Sequence, residues 1–302
     1  MIASFQPTEV LTDSGAVIFA ACGGTGPAVL LLHGFPETHV MWRHVAPALA
    51  DHFTVICADL PGYGGSTTAS ASSGFPQSKR AMAISLVQAM EQLGFSEFAV
   101  VGHDRGGRVA YRMALDHANR ITRLVTLDII PTAAAWDRAD ARFALSFWPF
   151  SLLAQAEPLP EKLIGGCPEA VVDAALSQWG TPAHIFPDDV RVAYVEALRD
   201  PVKVHAICDE YRAAASIDRE HDDADFRAGH RIRCPLLALW SNSGGLASWY
   251  EEDGGPLEIW RRWATDVTGE AVPGGHFFPE EYPAETAARL RSFLNHSVDT
   301  TG

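Results

Sequence analysis

The apolar runs Pro27–Leu32, Phe53–Ala58, Phe98–Gly102 and Leu124–Ile130 each stop abruptly at a turn bearing Gly, Pro or Asp. Short runs of this kind suit strands buried on both faces. Helical stretches separate them: Trp42–Ala50, Arg80–Leu93 closed by Gly94, and Arg108–His117. Buried strands alternating with helices predict an α/β fold, with a mostly parallel central sheet flanked by helices. Two strands precede these, near Ala3–Leu11 and Ala16–Cys22, joined by a Thr-Asp-Ser-Gly turn. Pro235–Trp240 reads as a later buried strand and Ala284–Asn295 as a terminal helix. From about Pro131 to about His221 the rhythm breaks. That stretch is rich in Ala, Trp, Phe and Pro and reads as helices without strands, inserted between two strands of the sheet. The expected organisation is a core at 1–131, a helical domain at 132–221 and the rest of the core at 222–302.

In such a sheet, chemistry collects at the C-terminal ends of the strands. The strongest candidate is Phe98-Ala-Val-Val-Gly102-His103-Asp104-Arg105-Gly106-Gly107, a strand running into Gly-x-Asp-x-Gly and then a helix. This is the nucleophile-elbow pattern with Asp where Ser is usual. An Asp capping a helix is the plain structural alternative. A carboxylate needs no proton removed before it attacks an sp³ carbon, and the product is an ester. Halide displacement and epoxide opening both fit that chemistry.

Such an ester must be hydrolysed by activated water. His276, in Val272-Pro273-Gly274-Gly275-His276-Phe277, is the candidate base. Its late position matches the nucleophile–acid–histidine order of the α/β-hydrolase triad. The acid that orients it is expected after a late strand, yet Ser241-Asn242-Ser243-Gly244-Gly245 offers no carboxylate there. Asp128, ending the Leu124–Leu127 run, is the alternative, because a carboxylate closing an apolar strand is costly to bury unless paired. The loop His33-Gly34-Phe35-Pro36 is placed to give one oxyanion-hole amide, from Phe35, with Arg105 giving the other. Arg105 and Arg108 sit beside the attacking carboxylate, where guanidiniums can hold a substrate carboxylate.

Together these segments resemble the haloacetate dehalogenases, fluoroacetate dehalogenases among them, of the α/β-hydrolase superfamily. The matching segments are HGFPETHVMW (33–42), DLPGYGGS (59–66), GHDRGGRVAYRMALD (102–116), LDIIPT (127–132), LLAQAEPLPEKLIGG (152–166), CDEYRAA (208–214) and GHFFPEE (275–281). The resemblance implies an α/β-hydrolase fold with a helical cap and a small anionic haloacid as substrate. It implies Asp104 as nucleophile, His276 as base, Asp128 as acid, and Arg105 and Arg108 as carboxylate ligands. No cofactor and no metal are implied, and a homodimer is.

One departure bears on the halogen. Fluoroacetate dehalogenases cradle the leaving fluoride with a His, a Trp and a Tyr from the cap. Tyr211 matches the Tyr, but Pro149 and Phe150 stand where the His and Trp are expected, and neither donates a side-chain hydrogen bond. Trp148 is the neighbouring donor, one residue out of register. Fluoride is a poor leaving group that needs strong donors in the transition state. Chloro- and bromoacetate-like substrates are therefore expected to be favoured over fluoroacetate. The competing enzyme reading is an epoxide hydrolase, with Tyr194 and Tyr211 as candidate acids. A non-catalytic small-acid receptor is the reading from outside enzymology.

The formal net charge of −14, from 37 acidic and 23 basic residues, argues against nucleic acid and anionic membranes as partners. It does not exclude a small anion, since recognition of that kind is local and long-range fields are screened beyond about 8 Å. The sequence shows no apolar run long enough for a transmembrane helix and no signal-peptide pattern. The five cysteines lack ligand or disulfide spacing. They read as reduced thiols of a cytoplasmic chain.

Overall fold

The computed structural model describes residues 2–68 and 77–295. Its eight strands are β1 (Gln6–Leu11), β2 (Val17–Gly23), β3 (Ala28–Leu32), β4 (Thr54–Ala58), β5 (Phe98–His103), β6 (Ile121–Leu127), β7 (Leu236–Ser241) and β8 (Val267–Val272). They form one sheet in the order β1-β2-β4-β3-β5-β6-β7-β8. The β1–β2 and β2–β4 pairings are antiparallel, and all the others are parallel.

The continuous apolar runs follow from this placement. Leu30, Leu32, Phe98 and Val100 pack into one core cluster, whereas Val29, Leu31, Ala99 and Val101 pack into the other. Successive side chains leave opposite faces of a strand, so helices on both faces demand an apolar residue at every position. The edge strand β8 lies outside this rule. Its sequence VTGEAV is mostly solvent-facing, which is why no apolar pattern announces it.

Between β6 and β7 the described chain forms only helices, from Thr132–Asp137 to Ile217–Arg227. The last of these runs past the expected boundary at His221. β6 also differs from expectation. It begins at Ile121 and ends at Leu127, because Asp128 turns out of the strand with φ +54°. The helix after β5 starts at Asp104, four residues before the expected Arg108. Gly106 and Gly107 read as loop from propensity, but they are helical and there for packing.

The turn at Asp104 shows what those glycines do. Asp104 has φ +43°, a region that non-glycine residues avoid. A Cβ on Gly102 would lie 2.4 Å from the Gly106 carbonyl oxygen, and one on Gly106 would lie 2.4 Å from the His33 carbonyl oxygen. Gly106 N–H donates to that same His33 oxygen at 2.9 Å. The helix thus starts with its backbone against the end of β3. Gly106→Ala is expected to lower stability by about 3 kcal/mol or more, because backbone rather than a flexible side chain must yield. Thermal melting of the variant checks this.

Candidate active site

The strand ends bring Asp104, Asp128, His276 and the loop His33–Pro36 together. Phe35 N–H donates to Asp104 Oδ2 at 3.0 Å, on the side where an oxyanion-hole amide was expected. The Arg105 amide lies in the first helical turn and has no backbone acceptor among the described residues. His276 Nδ1 lies 2.6 Å from Asp128 Oδ2, and Asp128 Oδ1 accepts the Ser241 amide at 2.8 Å. Ser241 stands where a late carboxylate was looked for. Its amide and its hydroxyl, which donates to Gly274 O, tie β7 to the acid and to the histidine loop. With Nδ1 turned to Asp128, His276 Nε2 is left without a partner among the described residues.

Asp104, Arg108, Asp128, Tyr211 and His276 line one small cavity with an otherwise mostly apolar wall. Its free volume is about 20 Å³, room for roughly one or two water molecules. Burial pushes the Asp104 carboxyl up, but His276, Arg105, His103 and Arg108 outweigh it and hold the group below the usual carboxylate value. Asp104 is therefore an anion at neutral pH despite its burial.

His103, next to Asp104, is fully buried. It bridges Glu37 Oε2 (2.9 Å from Nδ1) and the His276 carbonyl oxygen (2.9 Å from Nε2). Two acceptors demand both ring protons. Burial alone would push the imidazole pKa down, but Glu37 reverses this and raises it to about 9. Glu37 also accepts the Gly34 amide at 3.2 Å, so one carboxylate braces the Phe35 loop and, through His103, the His276 loop.

The two arginines are not equivalent. Arg108 is in the cavity wall, with Nη1 donating to Ile130 O (3.1 Å) and Thr132 Oγ1 (3.3 Å), and its buried Nε unpartnered. Arg105 is fully buried and does not line the cavity. Its Nε donates to both oxygens of Glu210 (3.0 and 2.9 Å) and its Nη2 pairs with the same carboxylate. Lys79 pairs with Glu210 from another side, and Tyr63 donates to it at 3.3 Å. Arg105 Nη1 is buried and has no partner among the described residues, so Glu210 takes only one edge of this guanidinium. Glu210 was overlooked beside Tyr211 in CDEYRAA, because nothing local marks its partner 105 positions away.

Of the expected halide-pocket residues, Tyr211, Pro149 and Phe150 line the cavity. Trp148 does not. Its ring packs edge-on to Phe35 at 6.5 Å, and its buried Nε1 has no partner among the described residues. Tyr194 is also absent from the wall, since its hydroxyl donates to Glu280 at 2.6 Å. Among the lining residues that sequence reasoning passed over are Trp179 and Tyr250. Trp179 is edge-on to His276 at 5.3 Å, with Nε1 committed to Ser146 O. The Tyr211 and Tyr250 hydroxyls have no hydrogen-bond partner among the described residues. Among those residues, no group of three or more His, Cys, Asp or Glu is placed to hold a metal.

Comparison with known proteins agrees with the fold. A family profile described as alpha/beta hydrolase fold matches residues 27–277. The chain is 42% identical to a fluoroacetate dehalogenase from Burkholderia sp, over 94% of this chain and 93% of that one. It is 31% identical to a soluble epoxide hydrolase from Corynebacterium sp. (strain C12), over 86% and 87% of the two chains. The crystal structure of a putative alpha/beta hydrolase from Nostoc sp PCC 7120 superposes with a TM-score of 0.93 at 42% identity, covering 98% of this chain and all of that one. The chain belongs to the α/β hydrolase fold family. Within it, the chain stands with the haloacetate dehalogenase-like members.

The His103 bridge has a pH signature. Its folded pKa, about 9, lies above the ordinary imidazole value of 6.5. Stability from this group is therefore complete below the unfolded value and is lost as pH rises through the folded one. The melting temperature of the wild type is expected to decline between about pH 6.5 and 9 relative to His103→Gln, which lacks this titration. Melting curves of both proteins across that range check it.

Proposed function

We propose that this chain hydrolyses the carbon–halogen bond of short 2-haloacids. The observation that carries this reading is an ionised Asp104 on a strained turn, facing one small cavity with Arg108 and the Asp128–His276 pair. The helical segment between β6 and β7 acts as the cap that closes it. Arg108 takes the substrate carboxylate, which sets the α-carbon against Asp104. Arg105, behind the wall, contributes its field to keeping Asp104 ionised.

The geometry distinguishes the two Asp104 oxygens. Oδ2 is engaged by the Phe35 amide, so Oδ1 attacks the α-carbon and the carbon–halogen electron pair departs as halide. Oδ2 becomes the carbonyl oxygen of the resulting ester. His276 Nε2 then removes a proton from water, and the hydroxide adds to Asp104 Cγ. Negative charge gathers on Oδ2, beside the Phe35 amide and the first-turn Arg105 amide. Collapse breaks the bond between Cγ and the substrate oxygen, which takes the proton back from His276 and leaves as a 2-hydroxyacid, and the new Asp104 carboxyl loses its remaining proton to solvent to restore the carboxylate. Asp128 orients the imidazole and stabilises its charged form.

The leaving halide meets Tyr211 as donor, with Pro149 and Phe150 contributing only apolar surface. Each missing donor to a departing anion is worth about 1.5–3 kcal/mol, so chloride and bromide are favoured over fluoride. An epoxide hydrolase remains the second reading. It is favoured by the 31% identical relative and by two unpartnered tyrosine hydroxyls, Tyr211 and Tyr250, in one wall. Tyr250 thereby replaces the buried Tyr194 in that reading.

The experiment is His276→Asn incubated with fluoro-, chloro- and bromoacetate and with styrene oxide, followed by intact and peptide mass spectrometry. A trapped ester on Asp104 from haloacids is expected, with turnover reduced by at least about a hundredfold. An adduct from the epoxide alone overturns the main reading. Wild-type chloride release is expected to exceed fluoride release by ten- to a hundredfold. Equal rates overturn the halogen preference.

A further inference from the structure

Arg108 is the arginine in the cavity wall, and its Nη1 donates to two neutral oxygens, Ile130 O and Thr132 Oγ1. Its place is therefore set by the chain that leaves β6 and enters the first helix of the cap segment, Thr132–Asp137. That chain is itself fastened from elsewhere. The Thr132 amide donates to the Tyr111 hydroxyl at 3.0 Å, and Thr132 Oγ1 lies 3.0 Å from the same oxygen. Tyr111 stands three residues after Arg108 on the helix Asp104–Asp116, so the two leave it on one side. A phenol has a single proton to give. Its shorter contact is to Asp222 Oδ2 at 2.7 Å, and a charged acceptor makes the stronger bond. With its proton turned to Asp222, the Tyr111 oxygen is an acceptor for Thr132, and Thr132 Oγ1 is left to accept from Arg108.

Asp222 lies on Ile217–Arg227, the last helix before β7, and is 1% exposed. Its Oδ2 also accepts the Ala133 amide at 3.1 Å, from the first helix after β6. One buried carboxylate oxygen thus joins both ends of the helical segment to the helix that carries Asp104 and Arg108. Arg112 faces the other oxygen, with Nη1 3.8 Å from Oδ1, and is shared with Asp116 and Asp225. Asp218, one turn earlier on the same helix, is the acidic neighbour that opposes the anion. Burial pushes the Asp222 carboxyl up to about 6, although Tyr111, the Ala133 amide and Arg112 favour its charged form. The group is an anion at neutral pH and takes a proton as pH falls through about 6. A neutral carboxyl is the weaker acceptor. The Tyr111 proton is then free to turn to Thr132 Oγ1, the atom that Arg108 uses.

We propose that Asp222 is a positioning residue for substrate binding, whose carboxylate holds Tyr111 and Thr132 so that Arg108 meets the substrate carboxylate in one fixed geometry. This rests on the haloacid reading above for what Arg108 receives. Asp222, Tyr111 and Thr132 are all outside the cavity lining, so they act on the substrate only through Arg108. Thr132 Oγ1 is the atom that makes this more than a clasp on the helical segment, because Tyr111 and Arg108 both reach it.

The test compares wild type, Asp222→Asn, Tyr111→Phe and the double variant, with acetate as an unreactive carboxylate probe and chloroacetate as substrate. Melting temperatures establish folding. For Asp222→Asn at about pH 7.5, the KM for chloroacetate and the inhibition constant of acetate are expected to rise together by about five- to tenfold, with kcat changing less. As pH falls through about 6, the gap in affinity for the acetate anion is expected to close, because the wild-type carboxyl is then uncharged too. A merely structural loss would not follow that titration. Tyr111→Phe cuts the chain of bonds and leaves the carboxylate in place, so it decides the question even where Asp222→Asn does not fold. It is expected to raise both constants to a similar extent, and the double variant is expected to be no worse than the larger single one. Acetate affinity within twofold of wild type in the folded variants overturns the proposal, and so does a gap that stays constant between pH 5 and 8. A fall in kcat with unchanged KM and acetate affinity overturns it as well. If the wild type binds acetate but releases no halide, the haloacid reading fails while the role of Asp222 is still decided by acetate affinity. Wild type that binds no acetate overturns the Asp222 proposal outright.

Discussion

The hydrogen bond from Phe35 N–H to Asp104 Oδ2 joins two costs and one use. Asp104 is buried, and its backbone stands at φ +43°, a conformation that costs an L-residue about 1–2 kcal/mol. Neither cost is tolerated unless the surroundings over-determine the turn. They do. Gly34, Gly102 and Gly106 leave no room for side chains where the two strand ends and the helix meet. The helix start at Asp104 favours negative charge there. The amide from the neighbouring strand end then fixes one carboxylate oxygen and leaves the other for the cavity. Removing any glycine of this set would disturb the same bond that the proposed chemistry uses.

Around that anion the protein buries further charge, nearly all of it already matched. His103 is matched to Glu37, His276 to Asp128, and Arg105 to Glu210 with Lys79. Breaking a buried pair strands a charge, so each of these side chains is fixed in place. Arg108 differs. It faces the cavity and bonds only to neutral oxygens, Ile130 O and Thr132 Oγ1. The wall is thus left with one cation whose counter-charge includes Asp104. On the proposed reading, this local excess is what lets a chain with a net charge of −14 take an anionic substrate. The surface charge acts at a distance through screening solvent, while Arg108 acts at contact in a medium of low dielectric.

Asp104, Asp128 and His276 were legible because each breaks a local pattern: a carboxylate or imidazole directly after an apolar strand or between glycines has few structural excuses. The sheet was legible for the same reason, except at β8, whose exposed edge position removes the apolar signal. Glu210 and Tyr250 were not legible. Glu210 lies on the helix Pro201–Ala215, where an acidic residue usually faces solvent, and only tertiary packing sets it against Arg105. Tyr250 lies in a segment whose Ser, Asn and Gly content reads as loop. Trp148 shows the converse. A one-residue shift in register was enough to make it a halide donor on paper, yet its ring packs on Phe35 beside the cavity rather than in its wall.

The histidine loop and the helical segment are fastened to each other. The His276 amide donates to Trp179 O at 2.7 Å, and the Phe277 amide to Thr181 Oγ1 at 3.1 Å. Gly275 passes so near that a Cβ there would lie 2.1 Å from the Thr181 nitrogen. The base is therefore held on one side by Asp128 from the sheet and on the other by backbone from the helices over it. Trp179 and Thr181 are thereby coupled to the His276 loop, and shifting either would drag it. The Trp179 ring adds an edge-on contact to the His276 imidazole at 5.3 Å, so one residue fixes both the backbone of the loop and one side of its ring.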